Sequence, residues 1–416
     1  MLALVRGVSS IAASLALLAP AFAAPLVIHA GHVILEPGRP VLARQSILIE
    51  NGKIVAIQDG FVPGEAIDLT DSWVMPGMID MHAHVTGQLD LTQPIEGAFV
   101  HAYMARPAEV VLSMLPRMKT LLMNGFTTIR SVGDVSSTTY DLRDAINKGA
   151  VVGPRMFAIE PQISVDGGDY DASKWGLQER VEPYVHNRGN CSGAIECMKV
   201  VREEVNRGAD VIKFRQADAP FLDSKVEMIE TEEEIHAIID TAHKLDRRVA
   251  VHVVGSPKFL HLVIKAGADT IEHGPLDDAA IVLMKKYGTA FTPTLMAAKL
   301  INYRLAEAIS GAGKAYRAGV PIIFGTDLGI VPPELMHEEL TLLASAGIPP
   351  EQVLRAATIN AAVALGRGES LGSIAPGKIA DLIAVKFDPV AHLDQMATDQ
   401  VSFVMKEGQI FKGRRP

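Results

Sequence analysis

From about Val74 onward, short apolar runs rich in β-branched residues alternate with amphipathic or Ala-rich segments of helical period. The runs are VMPGMIDMHAH (Val74 to His84), FTTIRSV (Phe126 to Val132), RMFAIE (Arg155 to Glu160), ADVIKFR (Ala209 to Arg215), RVAVHVV (Arg248 to Val254), TIEH (Thr270 to His273), AFTPTL (Ala290 to Leu295) and PIIFGTD (Pro321 to Asp327). Helical segments such as Ala194 to Arg207 and Glu232 to Lys244 lie between them. Eight strand-then-helix repeats fit a closed parallel barrel better than an open doubly wound sheet. The expected fold is therefore α/β, a (β/α)8 TIM barrel over residues 76–371. The 416 residues leave room for a lesser domain beside it.

The flanks follow a different rhythm. VIHAGHVI, SILIENGKIVAI and AIDL near the start alternate as antiparallel hairpins do, with Asn51-Gly52 as a turn signal. GKIADLIAVKF and VSFVMKEGQIFK near the end repeat the pattern. The two ends are expected to form one small discontinuous β-sandwich from residues 24–75 and 372–416. Residues 1–23 read as an export signal, with basic Arg6, an apolar stretch from Ile11 to Leu18 and a small-x-small cleavage site at Ala21-Phe22-Ala23. The mature chain is then expected to be periplasmic or secreted, without a membrane span. Cys191 and Cys197 are the only cysteines. In an oxidising compartment they can close a short disulfide, whereas the helical look of the chain beyond Gly193 favours two separate thiols.

Lys plus Arg number 39 against 48 for Asp plus Glu, without a basic cluster, which argues against a nucleic-acid partner. No Cys-x-x-Cys is present, so a metal would have to be held by histidines and carboxylates. His82 and His84 lie two apart at the end of the first barrel strand, and a strand's period of two puts both on one side. Such a pair is weak evidence alone. Lys213, His252, His273 and Asp327 then fall at the ends of strands four, five, six and eight. Active sites of these barrels form where strands end, so the residues converge on one mouth.

Imidazole and carboxylate suit Zn²⁺ and related divalent ions, whereas an ammonium has no lone pair and repels a cation. Burial beside a metal lowers a lysine's pKa, and the neutral amine can add CO₂. The resulting carbamate on Lys213 has two oxygens able to bridge two ions.

These residues resemble the ligand positions of the metal-dependent amidohydrolase superfamily: His82-x-His84, Lys213 in VIKF, His252 in VAVH, His273 in IEHG and Asp327 in GTD. GFTTIRSVG, GPRMFA, GADVIKF, TPTL, FGTD, LRAATINAAVALG and LGSIAPGKIADLIAV extend the resemblance along nearly the whole mature chain. More narrowly they are similar to the exported imidazolonepropionase-like and Xaa-Pro dipeptidase-like branch. The resemblance implies that His82, His84 and Asp327 bind one ion, His252 and His273 a second, and carboxylated Lys213 bridges both. It implies attack by a metal-bridging hydroxide on an amide, peptide-like, carbamate or ester carbonyl. Asp327 would take the hydroxide's proton and pass it to the leaving group. The small-molecule substrate would be an N-acyl amino acid, a dipeptide or a related compound. The resemblance also raises the expectation of a homo-oligomer.

Two positions depart from that branch. Asp169, in DGGDY, stands where relatives carry a histidine after strand three, and Val254 stands where they carry His or Tyr. An Asp there would repel a substrate carboxylate and favour a neutral or cationic group, unless it only caps a turn. Arg215 or Arg130 would then supply any carboxylate clamp. Tyr103, Tyr170, Tyr184, His101 and His337 are further candidates for the pocket, and the long segments Thr86 to Arg106 and Tyr170 to Asn190 for specificity. Two other readings stay open: a mononuclear ring hydrolase of the imidazolonepropionase or deaminase type, and a non-catalytic exported binding protein. Lys213 argues against the first, and a full ligand set with an acid/base Asp argues against the second.

Overall fold

The computed structural model describes residues 25–87, 105–134, 137–168, 187–216, 226–396 and 400–414. The export signal, His101, Tyr103, Asp169, Tyr170 and Tyr184 lie outside the described residues.

Strands β1 (Leu26–Val33), β2 (Leu42–Glu50), β3 (Lys53–Asp59) and β4 (Ile67–Pro76) open the chain. The barrel strands follow as β5 (Met78–Ala83), β6 (Phe126–Val132) and β7 (Arg155–Ile159). A short pair, β8 (Ser164–Val165) and β9 (Asn190–Cys191), comes next. Then come β10 (Val211–Arg215), β11 (Arg248–His252), β12 (Thr270–Glu272) and β13 (Ala290–Thr292). The chain closes with β14 (Leu382–Val385), β15 (Phe403–Lys406) and β16 (Gln409–Lys412).

The barrel consists of two parallel sheets, β5-β6-β7 and β10-β11-β12-β13, joined at both seams. At the first seam the Asp210 N–H donates to the Ala158 carbonyl (2.9 Å) and the Ile163 N–H to that of Lys213 (2.8 Å). At the second, the run Pro321 to Asp327 lies between β13 and β5. Ile323 N–H donates to Phe291 (2.8 Å), Met81 N–H to Phe324 (3.0 Å) and Asp327 N–H to His82 (2.8 Å). This eighth run was expected as a full strand. It pairs instead through isolated bridges, Phe291 with Ile322 and Ala83 with Leu328, because Gly325 and the left-handed Asp327 interrupt the ladder.

A second correction concerns the first expected strand. Val74 to His84 is not one strand but the end of β4 and the start of β5, broken at Pro76-Gly77. Pro76 has no N–H to continue a ladder. At Gly77 a Cβ would lie 2.2 Å from Thr127 Oγ1, so only glycine lets the chain cross between the units.

The two ends do build one unit. Its strands form a single sheet in the order β16-β15-β14-β4-β1-β2-β3, so the sandwich-like layers are continuous through β4. The sheet curls far enough for Lys53 at its edge to bridge Ile379. Ile28, Ile47, Ile54, Val74, Leu382 and Phe403 fill its own core. Arg155, at the start of β7, ties this unit to the barrel through Asp381 Oδ2 (2.5 Å) and Glu407 Oε1 (2.7 Å). A separate apolar group, Ile79, Met81, Phe157, Ala290 and Ile323 with Ala361 and Leu371, plugs the barrel below the mouth.

The helices follow from local chemistry. Glu232–Lys244 begins with a capping box in which Thr231 Oγ1 accepts from Glu234 N–H (3.2 Å) and Glu234 Oε2 accepts from Thr231 N–H (2.8 Å). Such a cap stabilises a helix by about 1 kcal/mol. Ala194–Arg207 ends at Gly208, whose φ of 111° suits the left-handed stop. Cys191 on β9 and Cys197 in the first turn of that helix are joined as a disulfide. The helical start at Ala194 therefore did not separate them. No helix among the described residues is long and apolar enough to cross a membrane.

Candidate metal centre

Register decides which side chains enter the barrel, since residues opposite one another on neighbouring parallel strands share a face. Lys213 is opposite Ala250, which is opposite Thr270; Arg215 is opposite His252, which is opposite Glu272. All six therefore line the interior. On β5 the register shifts between Asp80 and Ala83, and this irregularity brings His82 inward above Met81.

His273 follows inward-facing Glu272, so simple alternation would turn it outward. Its φ of 73° turns it back. Thr294 (φ 49°) and Asp327 (φ 63°) adopt the same left-handed region beyond the seventh and eighth strands. Each such residue costs on the order of 1–3 kcal/mol, and three at adjacent strand ends mark a functional site. Gly325, in FGTD, is required by space: a Cβ would meet Thr292 Cγ2 at 2.4 Å and His82 Cβ at 2.9 Å.

The expected ligand candidates converge. Asp327 Oδ1 lies 3.4 Å from His84 Nε2 and 3.6 Å from His82 Nε2, and these three residues form a metal-competent group. Lys213 Nζ lies 3.3 Å from His82 Nε2. The His273 ring is centred 4.6 Å from that of His82 and 4.5 Å from that of His252.

The far nitrogens of the imidazoles are oriented by the protein. His82 Nδ1–H donates to Glu272 Oε2 (2.8 Å), His84 Nδ1–H to the Gly133 carbonyl, and His273 Nδ1–H to Thr294 Oγ1 (2.8 Å). Each of these rings thus carries its lone pair on Nε2, the nitrogen able to bind a cation. His252 is different, since its Nδ1 faces the Arg215 Nη1 donor at 3.3 Å and so holds the lone pair. Asp327 Oδ1 is buried and finds no hydrogen-bond donor among the described residues. A carboxylate oxygen, imidazole lone pairs and an amine on one centre are a donor set that fits divalent ions.

The electrostatics agree. Burial, aided by Arg130 and Arg215, lowers the Lys213 ammonium to about 7 despite Glu272 and Asp327. Lys213 is then substantially a neutral, nucleophilic amine near pH 7. Burial holds His82, His252 and His273 well below the usual histidine range, so they are neutral and can ligate.

Several residues were not anticipated from the sequence in these roles. Glu272 orients His82, and Thr294 orients His273. Asp134 accepts from the backbone N–H and hydroxyl of Thr86 (2.9 and 2.8 Å), fixing the chain just beyond His84. Asp80 accepts from Thr326 Oγ1 (2.6 Å) and the His82 N–H (3.0 Å), locking strand one to the turn that carries Asp327.

Two expected substrate contacts turn elsewhere. Arg130 is no carboxylate clamp, because its fully buried guanidinium binds Glu272 Oε1 (2.6 Å) and the Met81 carbonyl (2.6 Å). His337 does not reach the mouth. It is buried against Phe126 (ring centroids 5.2 Å), and its Nε2–H donates to the Asn124 carbonyl (3.1 Å), at the start of β6 rather than its end. Arg215 remains at the mouth beside His252.

Residues 73–411 match the model of the Amidohydrolase family. Ochratoxinase from Aspergillus niger is 26% identical over 426 aligned residues, covering 93% of this chain and 86% of that protein. Imidazolonepropionase from Chromobacterium violaceum is 25% identical, covering 96% of this chain and 95% of that one. A solved Xaa-Pro dipeptidase with bound methionine superposes with a TM-score of 0.82 at 30% identity, over 94% of this chain and 100% of that chain. Sequence, fold and the donors gathered at the strand ends lead to one conclusion: the chain belongs to the amidohydrolase family and is a hydrolase of C–N bonds.

Proposed function

We propose that this enzyme hydrolyses an amide or peptide-like bond of a small molecule with two divalent ions, bridged by a carbamate on Lys213. The observation that carries the reading is the buried Lys213 Nζ, 3.3 Å from His82 Nε2 among ligand-competent side chains. An ammonium at that place would repel a cation, whereas a carbamate would hold it. His82, His84 and Asp327 would hold one ion, and His252 and His273 the other. When bound, such ions polarise a carbonyl and make water acidic enough to attack near neutral pH.

The residues supply the rest. Asp327 can accept a proton through Oδ1 and return it to the departing amine, because no donor among the described residues competes for that oxygen. Arg215, at the mouth, is placed to meet an electron-rich group of the substrate. The dipeptidase and ochratoxinase likenesses point to substrates such as dipeptides and N-acyl amino acids, with carbamates and esters as related possibilities for the same chemistry. Cys191–Cys197 supports the further proposal of export to the periplasm or exterior, since disulfides persist in oxidising compartments.

The test is metal analysis of protein purified without chelator, paired with a high-resolution density map around Lys213. Two ions, expected to be Zn²⁺, and added CO₂ are the expected result. One ion with an unmodified lysine would overturn the binuclear reading in favour of a ring hydrolase or deaminase. No retained metal and no turnover would favour a binding protein.

For the substrate, we propose that Asp169 disfavours a free C-terminal carboxylate. Matched free-acid and amidated dipeptides are expected to show higher kcat/KM for the amide. A clear preference for the free acid would overturn that proposal.

A further inference from the structure

Glu272 and Arg130 form an ion pair inside the barrel that the proposed chemistry does not use. Both side chains are buried. Glu272 Oε1 accepts from Arg130 Nη2–H (2.6 Å) and from the Thr270 hydroxyl, while Oε2 accepts from His82 Nδ1–H (2.8 Å). Arg130 also donates through Nε–H to the Met81 carbonyl (2.6 Å) and through Nη1–H to Thr270 Oγ1 (3.0 Å). A buried ion pair is a poor way to stabilise a barrel, because the desolvation of both charges offsets their attraction and apolar side chains fill the space as well. Its contact with His82 gives it another use. His84 and His273 donate to neutral acceptors, a carbonyl and a hydroxyl, whereas His82 donates to a carboxylate. An anionic acceptor makes an imidazole a stronger donor to a metal and holds its ring in one orientation.

We infer that Glu272, its charge balanced by Arg130, is a positioning residue that strengthens the His82, His84 and Asp327 ion site relative to the His252 and His273 site. The two ions would therefore bind with unequal affinity, the stronger on the His82 side. This inference rests on the binuclear reading above.

The experiment is titration of metal-stripped protein with Zn²⁺ against a chromophoric chelator, repeated with Co²⁺ by visible absorption. The main variant is R130M/E272Q, which removes both charges, keeps the volume and leaves an amide oxygen for His82. Glu272→Asp is its companion, retaining the charge for Arg130 but withdrawing it from His82. In both variants the tighter of the parent's two binding events is expected to weaken, by about 10–100-fold in the double variant. The other event should stay within about threefold, and the Co²⁺ spectrum should change only for the weakened site. Tyr140→Phe serves as a control, since losing its bond to Glu204 (3.1 Å) perturbs a buried network away from the metal centre and should move neither event.

Unchanged affinities in a folded variant, equal weakening of both events, or weakening of the weaker event alone would overturn the positioning role while leaving the binuclear reading intact. Uptake of fewer than two ions by the parent protein would overturn that reading and the inference with it.

Discussion

Asp327→Asn is expected to lower kcat/KM by about 10²–10⁴-fold, the range that a positioned acid/base group contributes. That corresponds to roughly 3–5 kcal/mol of transition-state stabilisation. The fold should survive. Asparagine has nearly the volume of aspartate and, like it, tolerates the left-handed region that φ of 63° at this position requires. The backbone bond from residue 327 to the His82 carbonyl (2.8 Å) does not involve the side chain. Asp80 continues to hold the preceding Thr326 through its N–H (3.1 Å) and hydroxyl (2.6 Å). The variant should thus unfold at a temperature close to the parent's and still take up metal through its histidines, with one carboxylate oxygen replaced by a weaker amide donor. The check combines a thermal melt, metal content and initial rates on one amide substrate at saturating metal. Near-parental rates in a metal-loaded variant would remove Asp327 from the proton transfer. A collapse of the melt would show that its role is structural.

The candidate residues that the structure brings to one mouth are mainly those whose position follows from strand ends. Lys213, His252 and His82 lie on short apolar strands with His84 just beyond one, and a parallel barrel sends strand ends to one mouth. His273 was named for the correct place on less secure grounds. Alternation along TIEH points Glu272 inward and His273 away, and only a left-handed backbone at His273 brings both to the centre. That conformation is a tertiary outcome which no local propensity announces. Glu272 and Arg130 did leave a signal, a lone charge in each of TIEH and FTTIRSV. A charge on a buried strand must be paired, and two opposite charges at neighbouring levels of one barrel were available to each other. Their pairing removes Arg130 from the substrate candidates. His337 misled for the opposite reason. Its sequence position after the last strand suggested the mouth, but the chain beyond Asp327 buries it against Phe126, at the start of β6. At the eighth run the pattern PIIFGTD correctly implied a barrel wall, yet glycine and a positive φ reduce its pairing to bridges.

If Lys213 bridges as proposed, Lys213→Ala is expected to cost at least about 10²-fold in kcat/KM, since loss of a bridging ligand should exceed the 10–100-fold typical of losing an outer partner of a metal ligand. The informative part is the rescue. Truncation at Cβ leaves a space inside the barrel next to His82 Nε2, which in the parent lies 3.3 Å from the lysine nitrogen. If the parent residue acts as a carbamate, that space should accept a small carboxylate, which offers the same two anionic oxygens at the same place. If it acts as an ammonium, the space should accept a small amine. Acetate or propionate at millimolar concentration is expected to restore activity and metal content together, along one saturable curve, and methylamine to restore neither. The two probes are similar in size and opposite in charge, so simple filling of a cavity cannot explain a difference between them. Rescue by methylamine alone would exclude the carbamate. Full activity of Lys213→Ala without additive would exclude any bridging role. With acetate rescue in hand, the pH dependence of the parent's reactivation in bicarbonate becomes a direct measure of how readily the buried amine, lowered to about 7, captures CO₂.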